Sequence, residues 1–339
     1  MSITIANWTT EDGSDARKSL SDLVTEVFGI GKPGFMISED FILKTCLVLF
    51  NDNIKFNVKN FDSSTVSVFS TNWKRIKECI LQSFRLLEVW GFNNDSLRAK
   101  NAVIPIIYYV YWNNIEGSLL KKTEHLKCKE NMRKWLCIAL LKGVFGGQTD
   151  TILTKIRNVL KNHSGDLFPL DDIINAFKGQ DRNFSFDDDF IKNILRTQKN
   201  SSACYPILSL LYSHLSFEND RYHMDHLHPA ISFSKERLIE FFGSEDKIPS
   251  EYFTNPEYWN SVVNLQLLNS GLNESKNDTP LSDWIKNNHI NIETQLIPSG
   301  TSYDFKDFVA FYDERMKLLE GRLKKITESQ TQDNQEFLS

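Results

Sequence analysis

The feature that most constrains the fold is a helical period in the apolar residues between positions 72 and 91. These residues recur at spacings of three and four, which places them on one face of an α-helix. The residues on this face are Trp73, Ile76, Ile80, Phe84 and Leu87. Gly91 follows the last of them at a position that favours helix termination. We therefore expect an amphipathic helix over residues 72–91.

Shorter segments extend the helical pattern over the first two-thirds of the chain. The longest apolar run, residues 102–112, is about half of the roughly 20 residues that a membrane helix needs, and it contains Pro105. We interpret it as a buried helix. Because no run shows sustained strand-like alternation, residues 20–215 are predicted to be all-α. Further helices are predicted at residues 41–50, 132–144, 151–160, 189–196 and 203–214.

Composition and cysteine usage exclude several protein classes. The chain has 339 residues, 41% hydrophobic and 24% charged, which is typical of a globular protein long enough for two domains. Its five cysteines are scattered and never spaced as C-x-x-C, which argues against a zinc ribbon or a disulfide framework. Most are expected to be small buried hydrophobic residues in a reducing cytosol. The polar, acidic N-terminus lacks a signal-peptide pattern, so a cytoplasmic protein without a membrane segment is predicted.

The charge distribution is uneven. Residues 71–160 contain 15 Lys and Arg against 7 Asp and Glu, whereas the whole chain has a formal net charge of -5. A basic segment within an acidic protein suits a path for a polyanion such as nucleic acid. The predicted contact is the cluster from Lys121 to Lys134, with Lys127 and Lys129 among its members. A solvated helix face is the alternative interpretation.

The sequence pattern changes after Glu218. Short strands are predicted at residues 221–226 and 262–268, and a helix is expected to begin at Leu272. A strand, a connection, a second strand and a helix make a ββα arrangement. It would bring three polar residues together, namely His226, Asn264 and Asn273.

Helices are expected on both sides of this arrangement. Residues 234–242 form a predicted helix closed by Gly243, and residues 246–254 a loop. Thr279 and Pro280 have the sequence of a helix start, with Thr279 as the N-cap. The fold predicted is mainly α, a helical domain followed by a small ββα module embedded in helices. Its divisions are an N-terminal segment (1–24), the helical domain (25–215), the module with a final helix over 305–326 (216–326), and a disordered tail (327–339).

Three short motifs occur in order within the predicted module. They are Asp225-His226-Leu227-His228-Pro229, Asn264-Leu265 and Asn273-Glu274-Ser275-Lys276. Their order resembles the ββα-metal (HNH, or His-Me finger) nucleases, in which an acidic residue and a histidine stand side by side at the end of the first strand. The resemblance implies an endonuclease module, with Asn-Leu in the second strand and Asn-x-x-Lys at the start of the helix.

The resemblance extends into the helical region. Residues 25–325 look like the helical and nuclease regions of GmrSD-like, type IV (modification-dependent) restriction proteins. The segments that carry this likeness are Phe41-Ile42-Leu43, Trp73, Asn101-Ala102-Val103-Ile104-Pro105 and Leu140-Leu141-Lys142-Gly143-Val144-Phe145. The Asp-Gly-Gln-Arg type motif of that family's N-terminal domain does not occur here. The resemblance therefore implies a C-terminal half, as a distinct gene product or an excised fragment. Its implied partners are modified or phage DNA and a separate nucleotide-using subunit.

The residue types at these positions suit hydrolysis of a phosphodiester. Neutral His226 can take a proton from water, because an unperturbed histidine has a pKa of about 6.5. We expect Asn264 to orient the imidazole through its side-chain carbonyl. Asp225 and Asn273 offer hard oxygen ligands to Mg²⁺ or Mn²⁺, an ion that keeps several waters and binds the scissile phosphate. Lys276 is expected to contact the phosphate as a point charge.

Each of these residues has a structural alternative. His228 is a supplementary metal ligand, a phosphate contact, or a packed or solvent-facing histidine. The asparagines are alternatively turn or cap residues. Asp225 alternatively orients a helix end, and Lys276 is alternatively a surface lysine.

Three interpretations of function remain open. The first is a divalent-metal-dependent DNA endonuclease acting in restriction and antiviral defence. The second is a zinc hydrolase that uses His223, Asp225, His226 and His228 as a metal cluster. The third is a non-catalytic helical subunit that binds DNA or protein and carries a decayed HNH module.

Overall fold

The computed structural model describes residues 15–163, 165–180 and 182–332, with side chains through residue 326. The chain divides into two compact units, one ending at Phe184 and the other beginning at Ser185. The described residues are mainly helical, with fourteen α-helices and two strands that pair as an antiparallel hairpin. Residues 1–14 of the predicted N-terminal segment and 333–339 of the predicted disordered tail lie outside the described residues.

The first unit is helical throughout its described part. Its helices are α1 (Ala16–Phe28), α2 (Glu39–Phe50), α3 (Ser63–Val89), α4 (Ile104–Trp112), α5 (Leu126–Leu141), α6 (Thr149–Asn162) and α7 (Leu170–Ala176). Helix α4 lies at the centre of this unit and packs against α2, α3 and α6. The all-α prediction for this part of the chain is confirmed.

Helix α3 contains the predicted amphipathic segment and is longer than expected. It begins at Ser63, where Asp62 caps it by accepting a hydrogen bond from the Thr65 N–H at 2.8 Å. Buried Val66 and Phe69 continue the predicted apolar face toward the N-terminus. The helix starts earlier than predicted because the residues of its first turn are polar and do not show the apolar period. Gly91 follows the helix with a φ of 80°, in the left-handed region that favours glycine.

Helix α4 is the predicted buried helix. Every residue from Ile104 to Tyr111 is buried, so the helix is apolar on all sides because all sides are covered. Pro105 lies in the first turn, where its missing N–H removes no helical hydrogen bond. In the part of the chain that the structure describes, no helix is both long and apolar enough to cross a membrane.

The predicted basic cluster in the first unit has fewer available charges than its sequence indicates. Lys129 is only 1% exposed, and its ammonium donates to the Lys121 carbonyl at 3.0 Å. Lys134 pairs with Glu130 at 2.9 Å, and Lys121 pairs with Glu124 at 3.0 Å. The prediction that Lys129 presents a charge to a polyanion is therefore wrong, because its side chain packs inside the unit.

All five cysteines are buried and free, which confirms that they pack as small hydrophobic residues. Burial raises the pKa of Cys79 and of Cys204 to about 12 in each case. These thiols therefore stay protonated at neutral pH, which makes them poor nucleophiles and poor metal ligands.

The second unit contains the hairpin and seven helices among its described residues. These elements are α8 (Asp188–Leu195), α9 (Cys204–Leu211), β1 (Tyr222–His226), α10 (Lys235–Phe242), α11 (Pro256–Trp259), β2 (Leu265–Asn269), α12 (Ser270–Lys276), α13 (Leu281–Asn287) and α14 (Phe308–Gln332). Helices α8 and α9 both pack on α14. The division after Phe184 therefore precedes the predicted boundary at residue 215, since these two helices find their contacts in the second unit.

The second strand is shorter than predicted, and the helix after it begins earlier. Residues Val262–Asn264 form a 3-10 turn, and only Leu265–Asn269 are extended. Asn269 then caps α12 by accepting a hydrogen bond from the Leu272 N–H at 2.9 Å. The sequence alternation was misleading because Val262 and Val263 are both buried in the turn.

Two other helix ends differ from prediction. Pro280, not Thr279, occupies the N-cap position of α13, and no side chain caps that helix. The final helix starts after a 3-10 turn at Phe305–Asp307 and continues to Gln332, beyond the predicted end at residue 326.

Buried Arg315 anchors α14 to the start of β2. Its guanidinium is inaccessible to solvent and donates to the carbonyls of Val263 (2.5 Å), Leu265 (2.9 Å) and Leu296 (2.9 Å). The same group lies 3.2 Å from the Tyr212 hydroxyl, and burial lowers its pKa. Since the carbonyls of Val263 and Leu265 flank Asn264, this arginine fixes the turn that leads into the hairpin.

Candidate functional site

The hairpin determines which side chains share a face. Strands β1 and β2 pair antiparallel, with Asp225 opposite Gln266 and His226 opposite Leu265. The Leu227 N–H continues the pairing with a 2.8 Å bond to the Asn264 carbonyl. Helix α12 packs against both strands. Because opposite residues point to the same face, Asp225 and Gln266 lie side by side.

Two side chains hold one oxygen of the Asp225 carboxylate. The Lys276 ammonium lies 3.0 Å from Oδ2, and the Gln266 amide donates to the same oxygen at 3.4 Å. The carboxylate is partly exposed, and Oδ1 has no hydrogen-bond partner among the described residues. Asp225 is therefore fixed in orientation with one oxygen available to a ligand.

Lys276 is a buried support for this carboxylate. It is inaccessible to solvent, and its ammonium also donates to the His226 carbonyl at 2.5 Å. Burial lowers its pKa, whereas Asp225 opposes that shift. The predicted contact between Lys276 and a phosphate does not fit this position, because the last turn of α12 presses the side chain against the hairpin.

His226 is held as a neutral imidazole. It is 7% exposed, and its Nε2 lies 2.9 Å from Oδ1 of Asn260. Burial lowers its pKa to about 4, the Lys199 and Lys276 charges act in the same direction, and Asn260 and Asp225 oppose them. An amide oxygen only accepts hydrogen bonds, so Nε2 carries the hydrogen and Nδ1 keeps its lone pair. Nδ1 is therefore the ring nitrogen that is able to accept a proton.

Asn260 is the residue that sequence reasoning missed. It directly follows α11, and its backbone N–H bonds to the Pro256 carbonyl at 3.1 Å, which fixes the start of its side chain. An asparagine after a short helix has the sequence of an ordinary turn residue. The sequence signal for Asn260 was its position immediately after two aromatic residues, Tyr258 and Trp259, whose rings anchor the segment. The Trp259 ring packs 6.2 Å from the His226 ring.

Asn264 does not orient the imidazole as predicted. Its side chain is fully buried and accepts from the His228 N–H at 3.0 Å. Its amide donates to the carbonyls of His228 (3.0 Å) and Trp259 (2.8 Å). Asn264 therefore ties the loop after β1 to the turn before β2, and its contact with His226 is indirect. It was mistaken for the orienting residue because both roles call for an asparagine beside a strand end.

His228 lies in an aromatic cluster, where the predicted supplementary metal ligand does not fit. Its ring centroid is 4.8 Å from Phe311, 5.3 Å from Phe308 and 6.2 Å from Phe305. Burial lowers its pKa to about 3, and its Nε2 is buried without a partner among the described residues. His228 thus packs as a neutral aromatic side chain.

Asn273 lies on the side of α12 that faces Asp225. It is partly exposed and precedes Lys276 by three residues in α12, so both lie on the same side of the helix. Because Lys276 contacts Asp225, that side faces the carboxylate. The Gln266 Oε1, which is buried without a partner, adds a further hard oxygen next to Asp225.

These donors fit a small divalent cation. Mg²⁺ prefers oxygen ligands, takes one or two from protein and keeps several waters. Asp225 Oδ1 and the Asn273 side-chain oxygen would be those ligands. Within the described ranges, no group of three or more His, Cys, Asp or Glu is placed to hold a metal ion. The zinc cluster of the second interpretation is therefore not assembled, and His223 instead lies exposed, 3.1 Å from the Ser270 hydroxyl.

Comparison with protein-family models gives no match for this chain, and comparison with curated proteins gives no significant match either. The resemblance to GmrSD-like restriction proteins therefore rests on the motifs alone and stays a prediction.

Proposed function

We propose that this chain is a divalent-metal-dependent, HNH-type endonuclease that hydrolyses DNA phosphodiester bonds. One observation carries the proposal: a neutral histidine with a free Nδ1 directly follows a carboxylate that is fixed through one oxygen and open at the other. The finer fold assignment, a ββα-metal module formed by β1, β2 and α12, belongs to the same proposal. DNA as the substrate is implied by the motif resemblance.

The chain's own groups divide the reaction between them. His226 Nδ1 removes a proton from the attacking water, and Asn260 holds the ring in the tautomer that makes Nδ1 basic. Asp225 and Asn273 would hold a Mg²⁺ or Mn²⁺ ion, which stabilises charge on the phosphate and the leaving oxygen. Lys276 keeps Asp225 in place by binding its other oxygen. The reaction breaks the P–O3′ bond and forms a bond from the water oxygen to phosphorus.

The test compares His226 with His223, which lies three positions earlier in the same strand. His226→Ala should lower the rate of plasmid nicking by about 10²- to 10⁴-fold, the usual contribution of a general base. The matched control is His223→Ala, since His223 is an exposed residue of the same strand that contacts Ser270. Substrates are unmodified and base-modified supercoiled plasmids, with Mg²⁺, Mn²⁺ or EDTA, with and without nucleoside triphosphate.

The control variant should cut at the wild-type rate, and EDTA should abolish cutting. Equal rates for the wild type and His226→Ala on a substrate that is cut would contradict the proposal. So would cutting that is unaffected by EDTA.

A second candidate is a non-catalytic helical subunit that binds DNA or protein. The observation that favours it is the ion pair between Lys276 and Asp225, because the lysine already neutralises the carboxylate. The two candidates differ in metal binding. Isothermal titration with Mn²⁺ should give an Asp225-dependent signal for the nuclease and none for the non-catalytic subunit.

The biological setting proposed is restriction of foreign DNA in the cytoplasm. Modified or phage DNA and a separate nucleotide-using subunit are the partners that the resemblance implies. Co-purification of such a subunit from the native source, with nucleotide-stimulated cutting, would support this setting.

A further inference from the structure

A short paired segment places Lys199 next to the residue that holds the imidazole. Residues 197–199 run antiparallel to residues 260–262. The Val262 N–H bonds to the Thr197 carbonyl at 2.9 Å, and the Lys199 N–H bonds to the Asn260 carbonyl at 3.0 Å. Between these bonds, Gln198 and Ser261 form a β-bridge. Lys199 is therefore directly opposite Asn260.

The pairing places Lys199 beside the site. Its backbone N–H is bonded to the carbonyl of Asn260, and the Asn260 side chain reaches His226. The charge of Lys199 accordingly lowers the pKa of both His226 and Lys276.

Lys199 also has an available charge. It is partly exposed, and it forms no ion pair within 4.0 Å with any carboxylate in the described ranges of the chain. Lys276, by contrast, is buried and committed to Asp225. Of these two lysines near His226, only Lys199 can meet an anion arriving from solvent.

We propose that Lys199 binds a backbone phosphate of the DNA beside His226, the role that sequence reasoning assigned to Lys276. The ammonium donates to a non-bridging phosphate oxygen and carries no proton to or from the reacting atoms. This inference rests on the proposed nuclease function. It implies that the part of the site next to Lys199 recognises the phosphodiester backbone.

The experiment measures binding of a fluorescent DNA duplex by anisotropy, in EDTA, between 50 and 200 mM KCl. Lys199→Met should weaken binding about tenfold and reduce the slope of log K against log salt by about 0.9, the value for one lost phosphate contact. Lys199→Arg keeps the charge and should keep the slope. The control is Lys192→Met, because Lys192 is an exposed lysine in the last turn of α8. It should match the wild type.

Folding of the variants is checked by circular dichroism, and the paired segment should persist because Lys199 contributes its backbone N–H to it. An unchanged slope for Lys199→Met would overturn the inference, as would equal losses in Lys199→Met and Lys192→Met. If the wild type cuts DNA and His226→Ala does not, either of these two results overturns the role of Lys199 alone and leaves the proposed nuclease function in place. If the wild type neither binds nor cuts DNA, the proposed function itself fails.

Discussion

The aromatic cluster around His228 predicts a specific pH dependence of stability. The ring is 1% exposed among three phenylalanines and stays neutral because burial lowers its pKa to about 3. In the unfolded chain the same histidine titrates near 6.5. The perturbation is to replace it with a side chain that does not titrate, as His228→Phe and, separately, as His228→Gln.

The sign and size follow from proton binding. As the pH falls below about 6.5, the unfolded chain binds a proton at His228 while the folded chain does not, until the pH approaches 3. The free energy of unfolding therefore falls with the pH over this window. At pH 5.0 the loss due to this residue is about 1.5 pH units times 1.36 kcal/mol, or about 2 kcal/mol.

The assay is urea denaturation of the full-length chain, followed by circular dichroism at pH 7.5 and pH 5.0. Wild-type protein should lose about 2 kcal/mol more than either variant between these two pH values. Phenylalanine and glutamine differ in size and polarity, so the two variants will differ in absolute stability. Their pH-dependent difference from the wild type should nevertheless be the same, which separates titration from packing.

The refuting result is a set of parallel stability curves. If the wild type and both variants lose the same free energy between pH 7.5 and pH 5.0, His228 is protonated equally in the folded and unfolded chains. The ring would then be accessible to solvent, and the aromatic packing described for it would be wrong.

Two asparagines of the site predict opposite outcomes. Asn264→Ala should lower the free energy of unfolding by about 3 kcal/mol, because it leaves three buried backbone groups without partners. A loss under about 1 kcal/mol in chemical denaturation would contradict this. Asn260→Ala should leave stability nearly unchanged but slow DNA cutting about 10- to 100-fold, which is the usual effect of losing a residue that orients an active-site group. An unaltered cutting rate would show that His226 does not need Asn260.

Periodicity predicted the helices well because burial imposes it directly. The face that runs through Trp73, Ile80 and Phe84 lies in the interior of the first unit, and a spacing of three or four is the only way a helix can bury it. Helix ends were less predictable. The start of α3 depends on Asp62, which accepts a hydrogen bond from the Thr65 N–H, and aspartate is also common in turns.

The second strand was mispredicted, and the division into compact units lies earlier than the predicted boundary, because both depend on contacts between distant residues. Composition changes after Glu218, yet α8 and α9 belong with α14, which begins about a hundred positions further along the sequence. The turn at Val262–Asn264 likewise replaces a strand, since Arg315 binds the carbonyls on both sides of Asn264. No local pattern near residue 262 contains that information.

The motif identified residues that lie close together in the structure, but it did not separate residues that hold the hairpin in place from residues whose polar atoms remain open. Asn264 and Lys276 match the predicted residue types, and both have their polar atoms bonded to the hairpin or to Asp225. Asn260 and Lys199 match no motif position: Asn260 bonds to His226 through its side chain, and Lys199 is placed next to Asn260 by the antiparallel pairing of residues 197–199 with residues 260–262.

Burial separates these two groups of residues on physical grounds. A buried polar group that already bonds within the protein has little capacity left for a ligand, since breaking such a bond leaves a group unpaired at a cost of about 1–3 kcal/mol. Asn264 and Lys276 are in this position. Asp225 and Lys199 are partly exposed, and each retains a charge or an oxygen that the protein does not use. The edge from Asp225 past His226 to Lys199 is therefore where the proposed metal ion and phosphate would bind, and the buried motif residues hold this edge in place.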